Sequence, residues 1–146
     1  DLAQQRWQEY SQFSNETVDS TTGEVLDPAK VQAGCDEEMG FMAQMGDPTG
    51  TGSGGSDKPD LDSEFSETPH VRGTVSMART SDPNSANSQF FICFGDSGFL
   101  DGQYTVWGEV TEGMEHVDAI TRGEGQSGSV PDPDKIVRMQ VAADAE

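Results

Sequence analysis

Residues 88–94 read SQFFICF, and their reading decides the fold. Aromatic and β-branched side chains suit a pleated, half-buried surface, so the stretch is a strand. Successive side chains of a strand point to opposite faces. Phe90 and Phe91 therefore cannot both enter one core. One ring must face the other way, next to a Gln. Phe90, Phe91, Ile92 and Phe94 all suit a plain core, but an outward Phe beside Gln89 suits a ligand groove better. The groove is assigned to Phe91.

The neighbouring text has the same character. GFMAQMGDP at 40–48 reads as a strand ending at Gly46-Asp47-Pro48. TVSMA at 74–78 and YTVWGEV at 104–110 are two more, and KIVRMQVA at 135–142 is a last strand with Ile136 inward. Met77 and Trp107 are read as core, and Cys93 as a small buried hydrophobe with no redox role. GMEHVDAITR at 113–122 places Met114, Val117 and Ile120 on one helical face, with Gly123 as the stop. RTSDPNSAN at 79–87 is a polar turn segment. TGTGSGGSDKPD at 49–60 is rich in glycine, but a phosphate-binding loop needs Gly-Lys-Ser/Thr opening a helix, and both are missing. A tightly turned loop remains. Short strands, few helices and frequent turns indicate a β-barrel or sandwich.

The chain has 146 residues, suited to one domain over 1–146, and a net charge of −19. Such acidity argues against nucleic acid, which needs clustered Lys and Arg. No stretch approaches the roughly 20 apolar residues that span a bilayer, so no membrane association is expected. No signal pattern opens the chain, and it does not begin with Met. It is read as a fragment or a processed form, with the cytoplasm as the expected compartment. Cys35 and Cys93 make no disulfide framework, and with His70 and His116 they show no metal-ligand spacing.

GFMAQMGDP, GTVSMA, NSQFFICF, FLDGQYTVWGEV and DPDKIV, in this order and at these distances, closely resemble the cyclophilin family of peptidyl-prolyl cis-trans isomerases. The resemblance covers residues 41–146 and is closest to the compact bacterial single-domain members. It implies a mainly β fold, a closed eight-stranded antiparallel barrel capped by two α-helices. A barrel of that size is filled by its own side chains, so the substrate groove lies outside it. Carried over, the resemblance implies a proline pocket lined by Phe41, Met42, Phe91 and Leu100. Gln44 and Gln89 are its polar contacts to the peptide backbone. Ala78 and Arg79 run along the groove, with the main chain of Arg79 pairing with substrate. Phe99 stands where many eukaryotic members carry Trp, and Tyr104 where many carry His. Gln44, Phe41 and Phe91 are the residues expected to act in catalysis. The implied partners are proline-containing peptides and unfolded chains, met by a monomer. No cofactor or metal is expected, and cyclosporin binding is expected to be weak.

Residues 1–40 do not share the resemblance. Members of the family carry an Arg in the strand before GFMAQ, aimed at the proline nitrogen. Counting back from Gly40, its place falls at Asp36, with Glu37 and Glu38 where apolar residues are expected. An ionised carboxylate cannot donate a hydrogen bond, and unpaired beside an apolar pocket it is costly. This segment is either divergent or misassigned, and misassignment is the favoured explanation. On that view the backbone still follows the family path: a strand near 1–10, a helix near 13–25 and a strand near 31–38. Taken at face value, Asp36 implies the alternative function, a non-catalytic proline-peptide binding module. A barrel-shaped structural or chaperone protein with an incidental groove is a third reading.

Overall fold

The computed structural model describes residues 17–18, 25–26, 30–34, 40–123 and 128–144. Two strands, β1 (Thr17–Val18) and β2 (Val25–Leu26), form a small antiparallel pair. Five more form one antiparallel sheet: β3 (Lys30–Gly34), β4 (Met42–Asp47), β5 (Thr74–Met77), β6 (Phe90–Cys93) and β7 (Val106–Glu109), in the order β3-β4-β6-β5-β7. The SQFFICF strand is thus central. It holds β4 on one side and β5 on the other, which accounts for its nearly unbroken apolar run. Among the described residues one short α-helix, α1 (Met114–Asp118), follows the sheet.

Alternation sets two apolar layers. Along β4 the burial alternates, with Ala43, Met45 and Asp47 buried on one face. Cross-strand register aligns Met45 with Phe90 and Val75 with Ile92, so these side chains share that face and form the main core. Met77, Trp107, Val117, Ile120 and Ile136 pack against it. On the opposite face Gln44, Phe91 and Ser76 stand in one row across three strands. Phe91, Cys93 and Leu100 make a second cluster there, joined by Phe41, Met42, Ala78 and Tyr104. Phe90 and Phe91 therefore serve different layers.

Gly46 lets β4 lie close against the segment that leads into β6. Its φ is +96°, and a Cβ there would collide with the Ser88 carbonyl oxygen. The helix is tied to the sheet by Arg72, whose guanidinium donates to both carboxylate oxygens of Asp118, and by Arg122, stacked 3.4 Å from the Phe94 ring centroid.

Several expectations differ from the described structure or fall outside it. Among the described residues the sheet has five strands and is open, so closure to eight is not seen in them. Where a helix was expected near 13–25, Thr17–Val18 and Val25–Leu26 pair as strands. Thr17, Val18 and Val25 are β-branched and stiff at χ1, which favours the pleated form. The expected strand near 31–38 is present over Lys30–Gly34, and 35–39, with Asp36, lies outside the described residues. So does the strand expected near 1–10. The helix stops at Asp118 instead of running to Gly123. The Thr121 N–H is donated to the Asp134 carboxylate at 2.7 Å, not to a carbonyl one turn back. Residues 135–142 form no strand among the described elements. Ile136 and Met139 both reach the core, and a spacing of three cannot put two strand residues on one face.

Candidate functional site

The second apolar layer is open to solvent at one end. The opening is a cleft of about 80 Å³, lined by Phe41, Met42, Gln44, Ala78, Arg79, Phe91, Leu100 and Tyr104. Its size suits one small ring and is well below the several hundred Å³ of a cofactor site. Phe91 is the floor. It is 2% exposed and meets Tyr104 edge to face, with ring centroids 5.7 Å apart. Leu100 is buried and forms one wall; it ends the 3₁₀ turn Gly98–Leu100, which points Phe99 the other way. Phe99 is 60% exposed, and its ring lies edge-on to Phe41 at 5.0 Å, so it forms the rim and not the lining.

The polar end is built from two glutamines. Gln44 Nε2 donates to Gln89 Oε1 at 2.7 Å. Gln89 Nε2 donates to the carbonyls of Gly54 and Gly52, which fixes its amide orientation. The glycine-rich loop is therefore part of the site's support. Asp47 holds the loop: its carboxylate accepts from the backbone N–H groups of Thr49, Thr51, Gly52 and Gly54 and from the Thr49 and Thr51 hydroxyls. Burial pushes the Asp47 carboxyl up, but the Thr49 hydroxyl and the backbone donors outweigh it and hold it at about 2.

Behind the cleft lies a buried polar network. His70 is fully buried, and its ring is stacked against Phe91 with centroids 6.1 Å apart. Its Nδ1 and backbone N–H meet the Asp101 carboxylate at 2.9 and 2.7 Å. Its Nε2 meets the hydroxyl of fully buried Ser76, which also donates to the Thr105 carbonyl. The His70 backbone and ring hold the Asp101 carboxyl below the usual range. Ser76 and His70 have no exposed surface, so this Ser-His-Asp set cannot meet a substrate. It instead ties β5, the His70 segment and the turn after Leu100 into one unit behind Phe91. Burial likewise pushes the nearby Cys93 thiol up, away from thiolate.

Arg79 forms the last side. Its guanidinium lies 4.6 Å from the Tyr104 ring centroid and 5.9 Å from that of Phe65. It donates to the carbonyls of Gln103 and Thr80. The Arg79 main-chain N–H and C=O have no partner among the described residues.

The structure thus brings together eight of the ten sequence-expected groove residues in one lining. Gln89 sits one hydrogen bond behind, and Phe99 lies on the rim. Asp36 lies outside the described residues. Sequence reasoning missed Asp47, Phe65, His70, Ser76 and Asp101. Asp47 had a local signal, since Asp-Pro-Thr is a side-chain-to-backbone turn sequence. His70 meets Asp101 across 31 residues of chain, and no local pattern joins His70 to Ser76 or Phe65 to Arg79.

Comparison with known proteins bears on the fold and the family. The sequence profile described as cyclophilin type peptidyl-prolyl cis-trans isomerase/CLD matches residues 37–141. A probable peptidyl-prolyl cis-trans isomerase of Brucella abortus (strain 2308) is 52% identical over 119 residues, covering 73% of this chain and 61% of the relative. The peptidyl-prolyl cis-trans isomerase-like 3 protein of Mus musculus is 48% identical over 87 residues, covering 57% of this chain and 53% of the relative. The chain thus spans about three-fifths or less of the length of these relatives. Among solved structures, a Cryptosporidium parvum cyclophilin type isomerase crystallised in the presence of the dipeptide Ala-Pro superposes with a TM-score of 0.72 at 27% identity, over 95% of this chain and 84% of that one. A cyclophilin from Hirschia baltica gives 0.74 at 25% identity, over 99% and 66%. This chain, mainly β and with few helices, has the cyclophilin fold and belongs to the cyclophilin-type peptidyl-prolyl cis-trans isomerase family.

Proposed function

We propose that the chain isomerises prolyl peptide bonds by holding one proline ring against Phe91 while the amide before it twists. The observation that carries this reading is the open apolar cleft over Phe91 with the Gln44–Gln89 pair at its edge. The twist barrier is roughly 18–20 kcal/mol, from amide resonance. The cis and trans forms differ by only about 0.5–1 kcal/mol, so only the twisted state needs stabilising. Phe41, Met42, Phe91 and Leu100 grip the ring by apolar contact. Gln44, Gln89 and the main chain of Arg79, which has no partner among the described residues, hold the flanking backbone, so that rotation falls on the prolyl bond. No covalent step is required of the site. On this reading the substrates are proline-containing and unfolded chains, the role is assistance to folding, and the protein acts as a monomer. The five-stranded sheet is part of a closed eight-stranded barrel with two capping helices, a reading supported by the likeness to cyclophilin structures over nearly the whole chain.

In the twisted amide the proline nitrogen is pyramidal and accepts a hydrogen bond. The family's donor is an Arg, and this sequence has Asp36 in its place. That residue favours a second reading, a module that binds proline peptides without turning them over. A protease-coupled assay on a prolyl tetrapeptide separates the two. Acceleration above the uncatalysed rate supports the isomerase. Binding with no acceleration supports the module.

A further inference from the structure

The cleft has one charged side chain among its described lining residues, that of Arg79. Arg79 donates to three neutral acceptor contacts, two on the Gln103 carbonyl and one on that of Thr80, and pairs with no carboxylate among the described residues. That leaves two of its five N–H groups without a partner there. Arg72, by contrast, spends both terminal nitrogens on Asp118. A cation that meets no carboxylate among the described residues is notable on a chain of net charge −19. It is also held ready: the guanidinium is stacked on Tyr104, with the exposed Phe65 ring at 5.9 Å, and its position is fixed by the Gln103 carbonyl. A fixed planar donor loses little freedom on meeting a carboxylate.

We propose that Arg79 makes this site select peptides with an acidic side chain next to the proline. Phe65 and Tyr104 act as the platform that keeps the guanidinium on the cleft side. The inference rests on the reading of the cleft as a prolyl-peptide site. It opposes what the whole-molecule field predicts. A strongly acidic protein attracts basic peptides, so the field alone favours Lys over Glu. A contact at Arg79 favours Glu over Lys, and at about 0.15 M salt the long-range field is screened beyond about 8 Å while a direct contact persists.

The test compares kcat/KM for prolyl peptides that differ only in Glu, Gln or Lys beside the proline, on either flank, at about 0.15 M salt. The Glu peptide is expected to exceed the Lys peptide by about two- to fivefold on one flank, the size of a half-exposed ion pair. In Arg79→Gln that ratio falls to one or below. Lys equal to or above Glu on both flanks in the native protein overturns the proposal, whether or not the variant folds. So does a Glu preference that survives in folded Arg79→Gln. If no peptide is turned over, the isomerase reading fails by itself. The Glu-to-Lys ratio is then read from dissociation constants by NMR titration, where a Glu preference lost in Arg79→Gln supports the role of Arg79 and its absence or survival overturns it.

Discussion

Gln44 donates to Gln89 across 45 residues of chain, at 2.7 Å, and Gln89 passes the connection on to the carbonyls of Gly52 and Gly54. The polar edge of the cleft is therefore tethered to a glycine-rich loop that contributes no side chain to the lining. Gln89→Ala removes the tether without emptying the apolar pocket. It is expected to lower kcat/KM about tenfold, equivalent to one hydrogen bond of about 1.4 kcal/mol. Stability, read from urea unfolding, is expected to fall by about 1 kcal/mol or less. An unchanged kcat/KM contradicts the role given to the glutamine pair.

Phe41 and Phe91 both belong to the pocket but differ in burial, and their variants are expected to differ accordingly. Phe91 is 2% exposed, so Phe91→Ala is expected to cost about 3–5 kcal/mol and to threaten folding. Phe41 is only half-buried and lies outside the strands. Phe41→Ala is expected to keep the fold while lowering peptide affinity about tenfold or more, measured by NMR titration. A folded Phe41→Ala with native affinity favours the incidental groove.

Asp47 sets an acid-stability prediction. Its folded carboxyl is held at about 2, below the ordinary value of 3.8. A depressed folded value means stability that is present above about pH 4 and lost as pH falls through about 2. Discounted for nearby solvent, the contribution is about 1–2 kcal/mol. Asp47→Asn cannot accept from four backbone N–H groups in the same way. It is expected to lose this amount at pH 7, with the gap to the native chain narrowing between pH 4 and pH 2. Parallel stability curves for the two chains over that range contradict the assignment.

The rim ring Phe99 governs an inhibitor prediction. Phe offers no N–H, whereas the indole of Trp donates one to a macrocycle. The native chain is expected to bind cyclosporin weakly, and Phe99→Trp to tighten binding about tenfold. Nanomolar binding by the native chain in a direct titration contradicts this.

Much of this molecule was legible because strand alternation is a local signal. Met42–Asp47, Thr74–Met77, Phe90–Cys93 and Val106–Glu109 fall where the sequence placed strands, and the two rings of Phe90 and Phe91 fall on opposite layers. Other features were hidden because distant partners decide them. The helix from Met114 ends early: the Ile120 N–H already turns to the Val117 carbonyl, and Asp134, 13 residues beyond Thr121, takes the next N–H. His70 looked like an isolated histidine, yet it meets Asp101 from 31 residues away. Phe65 and Arg79 show no periodicity that would pair them, and only the folded chain sets the guanidinium over that ring. The site residues themselves came from family resemblance combined with alternation, and neither could supply the network beneath them.

On the proposed reading, this cleft holds a proline while its amide turns. Two-dimensional NMR exchange on an Ala-Pro peptide, with the protein isotopically labelled and sequence-verified at position 36, tests it most directly. Cis–trans exchange is expected to be faster than in free peptide, with shift changes centred on Phe91, Leu100 and Tyr104. Exchange at the uncatalysed rate with no shift change at those residues contradicts it.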